Sequence, residues 1–297
     1  MKGLQQYEQA IQNFDQAVQI NPNCDLAYIN RGVAYMDGLQ QYKCAIQDFN
    51  KALELNPNTA GVYYNRGNIY SALGQYERAI QDYDKAIQIN PNYDSAYGNR
   101  GSAYANLQKY ERAIQDFDKA IALNPNWDYS YNNRGLAHCY LGQYELAVKD
   151  FSKALEINPN FALRYYSLGF AYEKLGQYKE ALVEYNNALE LNSNYAEAYN
   201  GRAWTYYLEK SYKQALDDAN KALQLNPDFA ECYDTRGCIY LAMKNYDEAL
   251  ADFNKALELN PNLGVSYHNR GKCYQELGNK KKAQDDFAKA KKLGYKE

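Results

Sequence analysis

An all-α fold, an α-α superhelix or solenoid of tandem repeats, is predicted by three observations. All seven prolines (Pro22, Pro57, Pro91, Pro125, Pro159, Pro227 and Pro261) occupy one slot of a 34-residue period, lengthened to 35 between Pro22 and Pro57. Ser193 takes the same slot in the remaining copy. Residues such as Tyr63, Arg66, Gly67 and Tyr70 recur at helical spacing on one face. Alanine fills two columns without exception, from Ala10, Ala45 and Ala79 to Ala283, and from Ala17, Ala52 and Ala86 to Ala290. A fixed period of this size marks a chain whose units bury their apolar faces only by stacking on one another.

Residues 1–23 contain a second helix only, with Tyr7, Ala10, Phe14, Ala17 and Pro22 in register. The array therefore begins mid-repeat, and that helix lacks its partner; either a longer protein supplies it or another chain covers the face. Seven full repeats follow over 24–263. In each, a first helix such as Ala60 to Leu73 leads through a short turn, Leu-Gly-Gln-Tyr at Leu73 to Tyr76, Leu141 to Tyr144 and Leu175 to Tyr178, into a second, such as Glu77 to Ile89. Asn-Pro ends the second helix, because the residue before proline is pushed out of the α region. The second unit has one extra residue around Asp37–Gln41, read as a bulge. Residues 264–297 form a last repeat whose second helix carries Lys280, Lys281, Lys282, Lys289, Lys291 and Lys292, a solvating cap for the array. The whole chain, 1–297, is read as a single solenoid.

The bulk numbers narrow the function. A net charge of -3 gives no basic field for nucleic acid. No apolar run approaches membrane-spanning length, and Met1-Lys2-Gly3-Leu4 does not open a signal peptide. Cys24, Cys44, Cys139, Cys232, Cys238 and Cys273 form no CxxC pair and no zinc-like grouping, so reduced thiols and a cytoplasmic protein are expected. Most of the 33 tyrosines fall in three repeat columns and are scaffold rather than a stacking surface for bases.

Tyr-x2-Arg-Gly-x2-Tyr, then Ala-x3-Phe/Tyr, then Ala and Pro, resembles the tetratricopeptide repeat over essentially the whole chain. The departure is arginine where the family favours leucine, at Arg31, Arg66, Arg100, Arg134, Arg202, Arg236 and Arg270. Those units carry an acid before the second-helix aromatic (Asp48, Asp82, Asp116, Asp150, Asp218, Asp252 and Asp286), which predicts an Arg–Asp pair in each repeat. The unit with Leu168 keeps Glu184, and the first has Asn13 in the acid slot. A phosphate-binding arginine ladder is the functional alternative.

The resemblance implies that first helices line a concave surface and that variable positions on them contact a ligand. In the first full units these are small or polar: Gly61, Asn68, Ser71, Ala72, Ser95, Gly98, Ser102, Ala105 and Asn106. Over residues 129–207 they become Tyr129, Asn132, Leu136, Tyr140, Tyr166, Phe170, Trp204 and Tyr207, with Glu173, Lys174, Glu197 and Asn200 among them. Phe170 and Trp204 share one slot in adjacent repeats and are expected to be neighbours across the groove. Trp204 has a second reading, folding inward beside Ala219, which replaces a core ring. A carboxylate clamp for chaperone tails is not expected, because its lysine slots hold Ile29, Tyr64 and Gly98, and Leu26, Gly61 and Ser95.

No nucleophile elbow, P-loop or metal-spaced cluster is present. His138 stands in a tyrosine core column, and His268 is expected on an exposed first-helix face. The chain is therefore read as a non-enzymatic scaffold needing no cofactor, which holds a peptide segment or partner helix and engages neither nucleic acid nor membrane. The alternative is a self-assembling, head-to-tail homo-oligomer through the unpartnered first half repeat.

Overall fold

A computed structural model describes residues 2–295, and among them there are 17 α-helices, one π-helical turn and no strand. The chain divides into two compact units, residues 1–157 and 158–297. The first unit holds α1 (Lys2–Ile20), α2 (Asp25–Val33), α3 (Tyr42–Leu55), α4 (Ala60–Ala72), α5 (Tyr76–Ile89), α6 (Asp94–Asn106), α7 (Tyr110–Leu123), α8 (Asp128–Tyr140) and α9 (Tyr144–Ile157). The second holds α10 (Ala162–Lys174), α11 (Tyr178–Leu191), α12 (Ala196–Leu208), α13 (Tyr212–Leu225), α14 (Ala230–Ala242), α15 (Tyr246–Leu259), α16 (Gly264–Glu276) and α17 (Lys280–Lys292). Within each unit a first helix packs on its own second helix and on the second helix of the preceding repeat. First helices also touch the next first helix, as α4, α6 and α8 do, and α10, α12, α14 and α16.

The repeat motif has a physical reading residue by residue. Each of the seven arginines donates from Nε and Nη2 to both oxygens of the predicted aspartate, at 2.6–2.8 Å. The aspartates are buried, so the two-pronged geometry must satisfy a carboxylate that water barely reaches. Three residues earlier, the tyrosine of the same helix lies under the guanidinium at 5.4–5.7 Å.

The third prong was not foreseen. Nη1 reaches back to the second helix of the preceding repeat, to Asp15, Asn50, Asp84, Asp118, Asn186, Asn220 and Asn254, at 2.5–2.7 Å. One side chain thus ties three helices. Where Leu168 replaces arginine, the acceptor slot holds Ser152. Glu184 there accepts from Asn187 at 3.0 Å instead, and burial raises its carboxyl pKa.

The glycine after arginine is set by the second-helix ring. A Cβ on Gly32, Gly67, Gly101, Gly135, Gly169, Gly237 or Gly271 would stand no more than 3.0 Å from Phe49, Tyr83, Phe117, Phe151, Tyr185, Phe253 or Phe287. Only where that ring becomes Ala219 does the glycine become Ala203. Both are fully buried, with Cys232 and Ile239 in the same cluster and Tyr199, Tyr206 and Tyr207 against it. Trp204 packs on the next cluster, around Cys238, Phe253 and Cys273, rather than on the one that holds Ala219.

The extra residue of the second unit is absorbed as a π-helical turn, Ala34–Gly38, whose Gly38 lies against the Tyr7 ring. The lysine-rich α17 buries Ala283, Asp286 and Ala290 and leaves its lysines exposed, as a cap would. His268 corrects an expectation: it is 4 % exposed, stacked on Tyr295 at 4.5 Å and against Phe287 at 5.4 Å. Residues 293–295, after α17, bring the Tyr295 ring over it.

The glycine–ring reciprocity has a direct test in urea unfolding. Ala219→Phe should lower the midpoint by the equivalent of about 1–3 kcal/mol through overpacking. Adding Ala203→Gly should return a large part of that loss; purely additive effects would refute the pairing.

Candidate functional site

First helices carry the candidate residues, because their inner rows are fixed by the arginine, glycine and tyrosine columns and only the intervening positions face outward. In residues 1–157 those positions enclose two adjoining hollows. One, of about 430 Å³, is lined by Ser102, Ala105, Asn106, Gln108, Tyr110, Phe117, Tyr129, Asn133, Leu136, Ala137 and Tyr140. The other, of about 360 Å³, is lined by Asn68, Ser71, Ala72, Tyr76, Tyr83, Asn99, Ser102, Asn106 and Tyr129. Ser102, Asn106 and Tyr129 belong to both, so Tyr129 stands at their junction.

Small residues make the space and aromatic ones wall it. Gly98 has no side chain, and the Trp127 ring occupies the place where a Cβ would be. Trp127 stacks on Tyr129 at 5.2 Å, and the Tyr129 hydroxyl shares a 2.8 Å hydrogen bond with Ser102 Oγ. Tyr140 is 70 % exposed yet lies parallel to Tyr110, 4.7 Å away. Asn106 and Asn133 donate to the carbonyls of Ser102 and Tyr129, one turn back in their own helices, at 2.9 Å. Asn99 donates to Asn68 Oδ1 at 2.9 Å and to Tyr64 at 3.1 Å, and Tyr83 donates to the same Asn68 oxygen at 2.8 Å. No charged side chain lines either hollow.

The small or polar positions Asn68, Ser71, Ala72, Ser102, Ala105 and Asn106 singled out from sequence line one or both hollows. Of those singled out over residues 129–207, Tyr129, Leu136 and Tyr140 line the larger hollow, and Asn132 is half-buried on α8 with a buried Oδ1 lacking a hydrogen-bond partner. The remainder lie in residues 158–297. Glu173 is buried, accepting from Tyr185 at 3.2 Å, Thr205 at 3.4 Å and Lys174 at 2.9 Å. It is a core acceptor more than an exposed contact. Lys174 also stands 4.8 Å over the Phe170 ring, on a helix that packs beside that of Trp204. Trp204 stacks on Tyr207 at 4.9 Å. Tyr166 sits between Tyr185 and Tyr195, and burial beside Glu173 and Glu197 raises its phenol pKa. Glu197 is exposed; Asn200 is half-buried, its Oδ1 enclosed without a hydrogen-bond partner.

Sequence reasoning missed Asn99, Gln108, Tyr110 and Asn133 as lining residues. The available signal was the run of small or polar positions, among them Ser102, Ala105 and Asn106, beside which they stand. His138 is a satisfied interior residue, with Nδ1 2.7 Å from Gln143 Oε1. All six cysteines are free thiols; burial pushes Cys139 and Cys273 up to about 11 and Cys232 to about 12, which makes them poor nucleophiles. Among the described residues no group of side chains could hold a metal ion, and no helix is long and apolar enough to cross a membrane.

Stacked helix pairs with variable, hollowed first-helix surfaces define a repeat-array protein of the kind that serves as a scaffold for protein interactions. The chain belongs to the tetratricopeptide repeat family. Family profiles match residues 60–93, 95–126, 129–161, 196–229 and 230–263 (Tetratricopeptide repeat), residues 4–37, 39–74 and 174–210 (TPR repeat), and residues 151–183 and 253–285 (Tetratricopeptide repeat). Comparison with curated proteins gave no match. Among solved structures, YrrB, a TPR protein with an unusual peptide-binding site, is 28% identical, with TM-score 0.56 over 62% of this chain and 95% of its own. MamA is 28% identical, with TM-score 0.53 over 58% of this chain and 94% of its own. A tetratricopeptide repeat protein from Parabacteroides merdae shares the fold at 24% identity, with TM-score 0.64 over 83% of this chain and 97% of its own.

Proposed function

We propose that the chain is a non-catalytic cytoplasmic scaffold that holds a peptide segment or a partner helix on its first helices. The observation that carries this reading is the pair of adjoining neutral hollows sharing Tyr129. They are walled by rings already fixed through stacking, so little side-chain order is lost on binding. Phe170, Lys174, Trp204 and Tyr207 supply a second contact surface in residues 158–297, with Glu197 at its exposed side. The likeness to YrrB, whose own site binds peptide, supports a peptide ligand here.

Affinity capture from source-cell lysate tests it, with the parent compared against Tyr140→Ala and against Phe170→Ala/Trp204→Ala, all of equal helicity. A partner held by the parent should be weakened by about 1–2 kcal/mol on losing an anchor ring. Capture by Tyr140→Ala should fail while rising salt, from about 0.1 to about 1 M, has little effect on the parent. Equal capture by all three proteins would contradict the proposal.

A second reading is self-association through α1. Its Phe14, Ala10 and Ala17 stay partly open to solvent, whereas the equivalent Phe49, Ala45 and Ala52 are at most 1 % exposed. An open aromatic face of this kind can seat a helix of a second copy head to tail. Sedimentation should then show mass rising with concentration in the parent and not in Phe14→Ser; a constant monomer mass would remove this reading.

A further inference from the structure

We propose that the larger hollow, between α6, α7 and α8, selects its peptide by one aromatic side chain in a neutral, extended segment. The proposal rests on the peptide-scaffold reading above and names the ligand class that the same site takes.

A volume of about 430 Å³ lies within the range of sites that enclose a compact ligand group. None of its lining side chains is charged, so an ionic ligand group would shed water with no counter-ion to receive it. The wall instead offers two flat surfaces. Tyr140 keeps most of its area open while its parallel stack on Tyr110, only 7° from coplanar, holds the ring in place. Tyr129 is backed by Trp127 and tethered through its hydroxyl to Ser102. A ligand ring laid against these faces stacks favourably.

Main-chain recognition falls to the carboxamides. Asn106 and Asn133 have turned an N–H of their side chains inward to their own helices, which leaves the amide oxygen as the acceptor for a ligand N–H. Extended peptides present N–H groups at regular intervals, and proline presents none. An aromatic-bearing segment therefore fits better than a proline-rich one.

The corner between α6 and α7 adds one more polar group. Every such corner has a left-handed backbone, with glycine at Gly74, Gly142, Gly176 and Gly278 (φ +71° to +75°) and other residues at Gln40, Gln108, Lys210 and Lys244 (φ +51° to +63°). A glutamine in that region costs stability relative to glycine. The Gln108 side chain lines this hollow, so the corner contributes a carboxamide to the wall.

The test is selection from a displayed library of random peptides on three intact chains: the parent, Tyr140→Ala and Gln108→Gly. Circular dichroism first confirms equal helicity. The expected peptides share one aromatic position flanked by uncharged residues and lose about tenfold or more in affinity on Tyr140→Ala. Gln108→Gly should also bind them more weakly while its thermal midpoint rises. Peptides that share a charged or proline signature, or aromatic peptides bound undiminished by both variants, would overturn the inference and leave the scaffold reading standing. A parent that retains no peptide would overturn both.

Discussion

The arginine carried by every first helix except the one with Leu168 makes the interaction on which the remaining structure depends. Its Nε and Nη2 close a two-pronged bond with a buried aspartate of the paired helix, and Nη1 crosses to the preceding repeat. Removing such a carboxylate from water is costly, and only full satisfaction of its oxygens offsets the penalty. The tyrosine beneath the guanidinium and the glycine beside it follow from the same geometry: one fills the space under the planar cation, the other lets the second-helix ring approach. The short motif Tyr-x2-Arg-Gly is therefore one packing device repeated six times, with Ala203 in the glycine slot of a seventh, and it fixes helix-pair spacing before any functional residue is chosen.

Because that device occupies the inner rows, first helices are left with positions that stability hardly constrains. Residues 1–157 use them to open space, with Ser102, Ala105 and Asn106 lining the larger hollow and Gly98 admitting the Trp127 ring. Residues 158–297 fill them with Phe170, which lies under Lys174, and with Trp204 and Tyr207, which stack on each other and pack on a core cluster. Glu173 and Asp234 are buried carboxylates outside the arginine pairs. Asp234, which burial raises to about 6, accepts from Asn269 at 3.1 Å, and it occupies the slot that holds Asn132 and Asn200 in other repeats.

The repeat period, the helix pairs and the Arg–Asp pairs were legible because each appears as a column of identical residues. The third arginine bond was equally legible in the column holding Asp15, Asn50, Asp84 and Asp118, with Ser152 paired to Leu168, and was overlooked because its two members sit in different repeats. The hollows were not legible. Bulky exposed residues suggest anchors, but a cavity is made by what is absent, and only coordinates show that Trp127 uses the space over Gly98. His268 was misplaced for a related reason: its cover, Tyr295, follows the last helix outside the repeating register.

The most direct measurement is a double-mutant cycle on one arginine, comparing Arg100→Leu, Asp116→Leu and the double variant by urea unfolding. Each single change should strip a buried charge of its partner and cost about 3–5 kcal/mol, while the double variant should recover well over half of that loss. Single changes that cost little, or a double variant as unstable as the sum of the two, would show that the arginine does not hold the repeats together.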